Sequence, residues 1–322
     1  MGSARTAAIG AAAIVLAVGT PSFAQSSKAF RVGILAYGAG DSQAVIADLQ
    51  KGLTDIGYVE GRDVEIVYQS GNAAQLPDRA ASLIRGEVNV IVAVREPAAA
   101  AASKATTTIP IVMTEYGGDP VKGGLAASLR RPGGNVTGNT TLSDALWENR
   151  LGKLRELVPK AKRVGVVLNR ANVGSESCFG AISEVAKAMT MQAIRIEVAD
   201  TNALESMLIQ ERPDALAVCG DAAMPGFAKV IADVALKLRL PTVAVSREYV
   251  EAGALLSTGA NPSDQRREAA YYVDKIRKGG KPSDLAIRQA GTFEVVINVA
   301  TAKRIGVAVS PIFLQTVDAR ID

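Results

Sequence analysis

The chain has 322 residues, 48% hydrophobic and 21% charged, which is long enough for two α/β lobes and too long for one small core. Aromatic residues make up only 4% and the apolar set is mostly Ala, Val, Ile and Leu, favouring buried parallel strands under Ala-rich helices over an all-β sandwich. The net charge of +4 is scattered, with no basic run carrying interleaved aromatics, and histidine is absent. A nucleic-acid partner is therefore not expected, and His-based triads, His general bases and nearly all ordinary zinc sites are excluded.

Residues 1–24 read as a secretory signal peptide. Arg5 supplies the positive start, Ala7 to Val18 the apolar stretch and Ser22-Phe23-Ala24 a small-x-small site, with cleavage expected between Ala24 and Gln25. The apolar stretch is short for a membrane span, although an uncleaved anchor is the alternative. No cysteine follows it to carry a lipid.

Arg31-Val-Gly-Ile-Leu-Ala-Tyr37 is the first expected strand, followed by a helix capped at Asp41 or Ser42 and stopped at Gly57. Val64 to Tyr68 is a second strand and Leu76 to Ile84 a helix that tolerates Pro77 in its first turn. Val88 to Val94, an Ala-rich helix from Pro97 and a strand at Ile109 to Met113 complete a β-α-β-α-β-α-β series, which implies a parallel sheet. The series then restarts: Arg163-Val-Gly-Val-Val-Leu168 repeats Arg31-Val-Gly-Ile-Leu35. Further strands are expected at Ala193 to Val198, Ala215 to Cys219 and Pro241 to Val245, with helices at 178–189, 202–210 and 226–238.

The expected fold is therefore α/β, with two similar doubly wound parallel-sheet lobes joined by a multi-crossing hinge. The Gly- and Pro-rich Arg131-Pro-Gly-Gly-Asn-Val-Thr-Gly138 marks the first crossing. The first lobe is expected to take residues 28–138 plus about 253–280, and the second 139–250 plus about 285–322. Cys178 and Cys219 are either two buried thiols or a disulfide; the thiols are favoured, because a chain with a good core seldom needs a staple.

Enzyme signatures fail. Gly38-Ala-Gly40 has Gln43 at the third glycine position of a dinucleotide loop, and no acidic residue ends the second strand. There is no P-loop and no spaced metal-ligand cluster, and Gly174-Ser175-Glu176-Ser177 is not a nucleophile elbow. No cofactor is implied.

In open α/β lobes ligands bind beyond the carboxyl ends of the strands. From the first lobe this selects Tyr37, Ser42, Arg95, Glu96, Pro97, Thr114, Glu115 and Tyr116, and from the second Asn169, Ser175, Gly220, Asp221, Glu248 and Tyr249. The helix start at Pro97 suits a carboxylate and Arg95 a bidentate pair; an exposed or salt-bridged rim position is the equal alternative for Arg95. Glu115 and Glu248 follow matching strands and suit a ligand ammonium group, or are surface glutamates. The three tyrosines border a ligand or pack. Asp119 suits a turn cap and Trp147 a packed helix face.

The same segments resemble a known group. Gly52-Leu-Thr-Asp-Ile-Gly-Tyr-Val-Glu-Gly61, Gly118-Asp-Pro-Val-Lys-Gly-Gly-Leu125, Ser128 to Gly138, Arg247-Glu-Tyr-Val-Glu-Ala-Gly253 and Phe293-Glu-Val-Val-Ile-Asn298, in that order, are similar to the substrate-binding proteins of ABC-type importers. These have the type I periplasmic-binding fold and include tryptophan-type binding proteins. Arg95 and Glu96 stand where that family usually has a small residue before the proline. The resemblance implies a non-enzymatic protein; the export signal places it in the periplasm, and a monomer is expected. It would capture a small polar molecule by hinge closure and deliver it to permease subunits; a site with both a helix start and acidic groups suits an amino acid or a small carboxylate, aromatic ones included. A sensor domain presenting a solute to a membrane receptor and an exported α/β enzyme are the alternatives.

Overall fold

The apolar runs become buried strands, because helices cover both faces of each sheet and leave no polar side. The computed structural model describes residues 29–38, 42–169, 175–198, 201–220 and 227–322, so the expected signal peptide lies outside the described residues.

The first series is β1 (Phe30–Tyr37), α1 (Ser42–Asp55), β2 (Val64–Gly71), α2 (Leu76–Arg85), β3 (Val90–Val94), α3 (Glu96–Ala105), β4 (Ile111–Tyr116) and β5 (Val136–Thr140). A 3-10 turn at Ser143–Leu146 leads into α4 (Trp147–Leu157). The second series is β6 (Arg163–Asn169), α5 (Ser175–Ala188), β7 (Gln192–Val198), α6 (Leu204–Glu211), β8 (Ala215–Val218), α7 (Ala228–Lys237), β9 (Thr242–Ala244), α8 (Arg247–Glu251) and β10 (Leu256–Ala260). The chain ends with α9 (Pro262–Arg277), β11 (Arg288–Gln289), β12 (Phe293–Asn298), α10 (Val299–Ile305), α11 (Pro311–Leu314) and β13 (Ala319–Ile321).

The first sheet has the order β11-β5-β4-β3-β1-β2 and the second β13-β12-β10-β9-β8-β6-β7. Their cores, 5-4-3-1-2 and 10-9-8-6-7, are one arrangement used twice, as the repeated sequence implied. All pairs are parallel except β10 with β12. The fourth strand runs to Tyr116 rather than ending at Met113, because its register against β5 shifts between those residues and lets the ladder continue.

The closing segment completes both lobes. Helix α9 packs on α1 and β4, where Ala269, Ala270 and Val273 join Leu49, Leu53, Val32 and Ile34 in one core. Each large aliphatic side chain buried there contributes about 1.5–3 kcal/mol. The close approach depends on Gly52, where a Cβ would stand 2.5 Å from the Arg267 carbonyl oxygen. Asn261 caps α9 by accepting from the Ser263 N–H at 2.9 Å. The chain thus passes between sheets three times: after β5, at Asn261 and between β11 and β12.

Cys178 and Cys219 are disulfide-bonded, with Cα atoms 6.1 Å apart, and not the free thiols favoured from the sequence. The pairing joins the first turn of α5 to the end of β8, a proximity set by sheet order and invisible in a 41-residue separation.

Candidate functional site

Arg95 follows β3 directly and precedes the first residue of α3. Its backbone is at φ 75° and ψ 162°, a region essentially reserved for glycine. It is held there from both sides: its N–H donates to the Thr114 carbonyl at 3.0 Å and its carbonyl accepts from Ala99 at 3.1 Å. Glu115 also has a left-handed backbone, at φ 51°, within the register shift of β4. That shift breaks the alternation of side chains: Tyr116 joins Met113 in the core under α2 and α3.

Around these two residues runs a chain of alternating charge. Glu115 accepts from Arg95 Nε at 3.2 Å and from Arg266 Nη1. Arg266 also donates to Asp48 from Nε at 2.9 Å, and Asp48 accepts from Ser263 Oγ at 2.6 Å. At the other end Arg95 Nη2 donates to Glu248 Oε1 at 3.2 Å. Asp48, Arg266, Glu115 and Arg95 are mounted on the first lobe, and Glu248 on α8 of the second. Burial opposes the charge on Arg95, but Glu115 and Glu248 together hold its guanidinium above the ordinary arginine range. Arg266 is raised in the same way, by Glu115 and Asp48 against burial.

A cavity of about 200 Å³ opens at this network, bordered by Tyr37, Val45, Tyr68, Arg95, Glu115, Glu248 and Arg266. It lies at the carboxyl ends of β1, β2, β3 and β4, where ligands of open α/β sheets bind. Its volume falls below the drug-sized range of about 300–1,000 Å³ and suits a metabolite. A larger concavity of about 490 Å³, lined by Arg155, Glu156, Lys162 and Met189, lies at the opposite, amino end of β6. It is an open surface groove without converging buried charges, so the smaller cavity is the candidate site.

Of the residues selected from the sequence, Tyr37, Arg95, Glu115 and Glu248 meet at this cavity. The others have different places. Glu96 accepts from the N–H groups of Gly117 and Gly118 at 2.6 and 3.1 Å, pinning the turn after β4. Pro97 occupies the first turn of α3 and Ser42 begins α1. Thr114 is fully buried. Tyr116 packs in the first-lobe core, its hydroxyl beside Gly118 and Gly123, and burial with Glu96 and Asp119 nearby pushes it up to about 12. Tyr249 is in the core of the second lobe. Ser175 donates to the Asn169 carbonyl at 2.7 Å, so this pair ties the start of α5 to the end of β6. Gly220 is exposed, and Asp221 lies outside the described residues. Asp119 caps its turn by accepting from Val121 at 2.8 Å, and Trp147 is fully buried.

Tyr68, Asp48 and Arg266 were not selected from the sequence. Tyr68 had a signal, since it stands at the end of an expected strand. Arg266 had none, because its helix reaches the cavity only through the second crossing.

Among the described residues no group of three or more His, Cys, Asp or Glu side chains is placed to hold a metal ion, and no helix is long and apolar enough to cross a membrane.

Comparison with known proteins agrees with this architecture. Over 258 residues the chain is 28% identical to a tyrosine-binding protein of Clostridioides difficile, covering 79% of this chain and 74% of the relative. A conserved domain protein of Vibrio cholerae superposes with a TM-score of 0.83 at 27% identity, covering 91% of this chain and all of the other. An ABC domain from Streptococcus pneumonia in complex with L-Trp superposes equally well, with a TM-score of 0.83 at 22% identity over 91% of this chain and 100% of that one. The two α/β lobes thus form a type I periplasmic-binding fold. Residues 31–319 match the family described as ABC transporter substrate binding protein, and the chain belongs to that family, whose members are the non-catalytic solute-binding components of ABC importers.

Proposed function

We propose that the solute is an amino acid or a small carboxylate, with aromatic members included, taken up in the cavity between the lobes. The observation that carries this is the position of Arg95, 3.2 Å from Glu115 of its own lobe and 3.2 Å from Glu248 of the other. A cation flanked by two carboxylates offers one partner for a ligand carboxylate and two for a ligand ammonium group. Tyr37 and Tyr68 provide aromatic surface on the same wall. The similarity to a tyrosine-binding protein and to a protein crystallised with L-Trp supports the same class. In this reading the chain is exported by residues 1–24, cleaved between Ala24 and Gln25, and works in the periplasm as a monomer that docks on permease subunits.

A thermal-shift screen of the mature protein against amino acids, organic acids and aromatic acids tests this. A ligand that binds only the folded form at about 100 times its Kd adds about 2.7 kcal/mol of stability, a shift of several degrees. No response to any amino or organic acid overturns the proposed class.

A further inference from the structure

The ion pair of Arg95 with Glu248 connects the lobes by direct contact, and both of its ends are rigidly mounted. On the first lobe, Arg95 is fixed by a glycine-like backbone conformation, by hydrogen bonds at both its N–H and its carbonyl, and by Glu115 on its Nε. On the second lobe, α8 is pinned by the residue before Glu248: Arg247 forks onto Glu294 of β12 at 3.1 and 2.7 Å. The residues after it, Tyr249 and Val250, are buried. Glu248 is therefore the projecting residue of a fixed turn. Among ion pairs between described residues it is also the one that joins the two sheets' lobes; the rest stay within a lobe. An ordinary surface pair gains little because two flexible side chains must be ordered. Here Glu115 on its Nε already orders the Arg95 side chain, and both backbones are fixed, which removes part of that entropic cost.

We propose that Arg95 and Glu248 form an interlobe latch, which holds the lobes together before a solute enters and which the solute must displace. A group binding between the lobes has to separate the two side chains, so a solute that succeeds must re-pair the more buried partner, Arg95, with an anion of its own. A neutral solute would leave that guanidinium short of a partner in the cleft. This rests on the cavity being the solute site, but the latch itself can be tested with no solute present.

The experiment is small-angle scattering on mature, disulfide-intact protein, refolded from denaturant to strip bound solute, compared with Glu248→Gln. The Glu248 side chain is 42% exposed, so the substitution leaves the core alone, and a circular-dichroism melt checks the fold. Sodium chloride is raised from about 20 mM to about 0.5 M, which shortens the screening length from about 20 Å to about 4 Å. The parent is expected to be compact at low salt and to gain on the order of 1 Å in radius of gyration as salt rises. Glu248→Gln is expected to be expanded already at low salt and insensitive to added salt; Glu248→Arg, which sets two cations face to face, is expected to expand further. Identical dimensions for parent and both variants at every salt concentration overturn the latch and leave the solute screen untouched.

Discussion

Arg150 Nε donates to the carbonyl of Thr258 at 2.8 Å, and this bond ties the first crossing between the lobes to the second. Arg150 sits on α4, just past the first crossing, while Thr258 lies on β10, just before Asn261. The same guanidinium reaches back to the Ser143 carbonyl at 2.7 Å and the Ser143 hydroxyl at 3.0 Å, and stacks 4.8 Å from the ring centre of Trp147. No carboxylate pairs with it among the described residues. Burial pulls it down to about 9, with Asp144 pulling the other way, so it is charged at neutral pH.

A buried cation bonded only to neutral oxygens is costly in itself, so its worth lies in the acceptors it satisfies. Arg150→Met keeps much of the volume and removes the charge, but leaves the Ser143 and Thr258 carbonyls without their donor. The expected loss is about 2 kcal/mol in urea unfolding at neutral pH. A Met variant as stable as the parent would mean that desolvation of the guanidinium cancels its hydrogen bonds, and that the crossings are held by packing alone.

Position 95 gives a sharper test of strain. Arg95→Ala removes both ion pairs and keeps the unfavourable φ, whereas Arg95→Gly removes the same pairs and releases the strain. Glycine is ordinarily the less stable of the two by about 0.5–1 kcal/mol at a helix or strand position. Here the order is expected to reverse, with the Gly variant about 1–2 kcal/mol more stable than the Ala variant in thermal or urea unfolding. The ordinary order would refute a strained Arg95. Both variants are expected to lose solute binding at least tenfold, because neither presents a guanidinium at the cavity.

The twofold architecture was legible in the sequence because the two halves repeat their contacts as well as their letters. The Arg31 N–H donates to Asn89 Oδ1 at 2.7 Å and the Arg163 N–H to Asp214 Oδ2 at 2.9 Å, the same clasp at the foot of β1 and of β6. Gly33 and Gly165, one in each Arg-Val-Gly, admit Val88 and Pro213 respectively, whose side-chain atoms would lie 3.0 and 3.2 Å from an added Cβ. The rule that solutes meet strand ends selected Tyr37, Arg95, Glu115 and Glu248. It selected Tyr116 and Tyr249 as well, because chain position locates a strand end without saying which face a side chain takes. At Tyr116 that face is decided by the register shift in β4, a property of the paired strand β5. Arg266 and Asp48 stayed hidden for a related reason. They meet because α9 returns from the second lobe to lie on α1, over 200 residues after Asp48 in the chain.

Alkaline pH should report on Tyr116. Its hydroxyl ionises near 10 in the unfolded chain and at about 12 in the folded one, because burial and the neighbouring Glu96 and Asp119 disfavour the phenolate. The folded chain keeps this proton to higher pH than the unfolded chain. The contribution is therefore intact below pH 10 and is lost as pH rises from 10 through about 12. Across that window the parent should lose about 2–3 kcal/mol more stability than Tyr116→Phe, which has no proton to release. Tyr272, also raised by burial, gives both proteins a shared alkaline decline, so the difference between them is the quantity to measure. Parallel stability curves for the two proteins over this range would rule out the assigned environment of Tyr116.

The disulfide links Cys219, at the tip of β8, to Cys178, in the first turn of α5. Both cysteines are buried, at 1% and 4% exposure, so the bond is shielded from reductant in the folded state. Closing a loop of this separation removes chain entropy worth about 4 kcal/mol from the unfolded ensemble. A Cys178→Ala, Cys219→Ala double variant should therefore unfold at clearly lower urea concentration than the parent. Dithiothreitol should lower the melting temperature of the parent and leave that of the double variant unchanged. The bond also ties β8 to α5, whose first residue, Ser175, donates to the Asn169 carbonyl at the end of β6. Solute affinity of the double variant should fall with stability, and compensating the stability loss elsewhere in the second lobe should not restore it. If affinity recovers in full on restabilisation, the disulfide is a staple for the lobe and has no part in shaping the cleft.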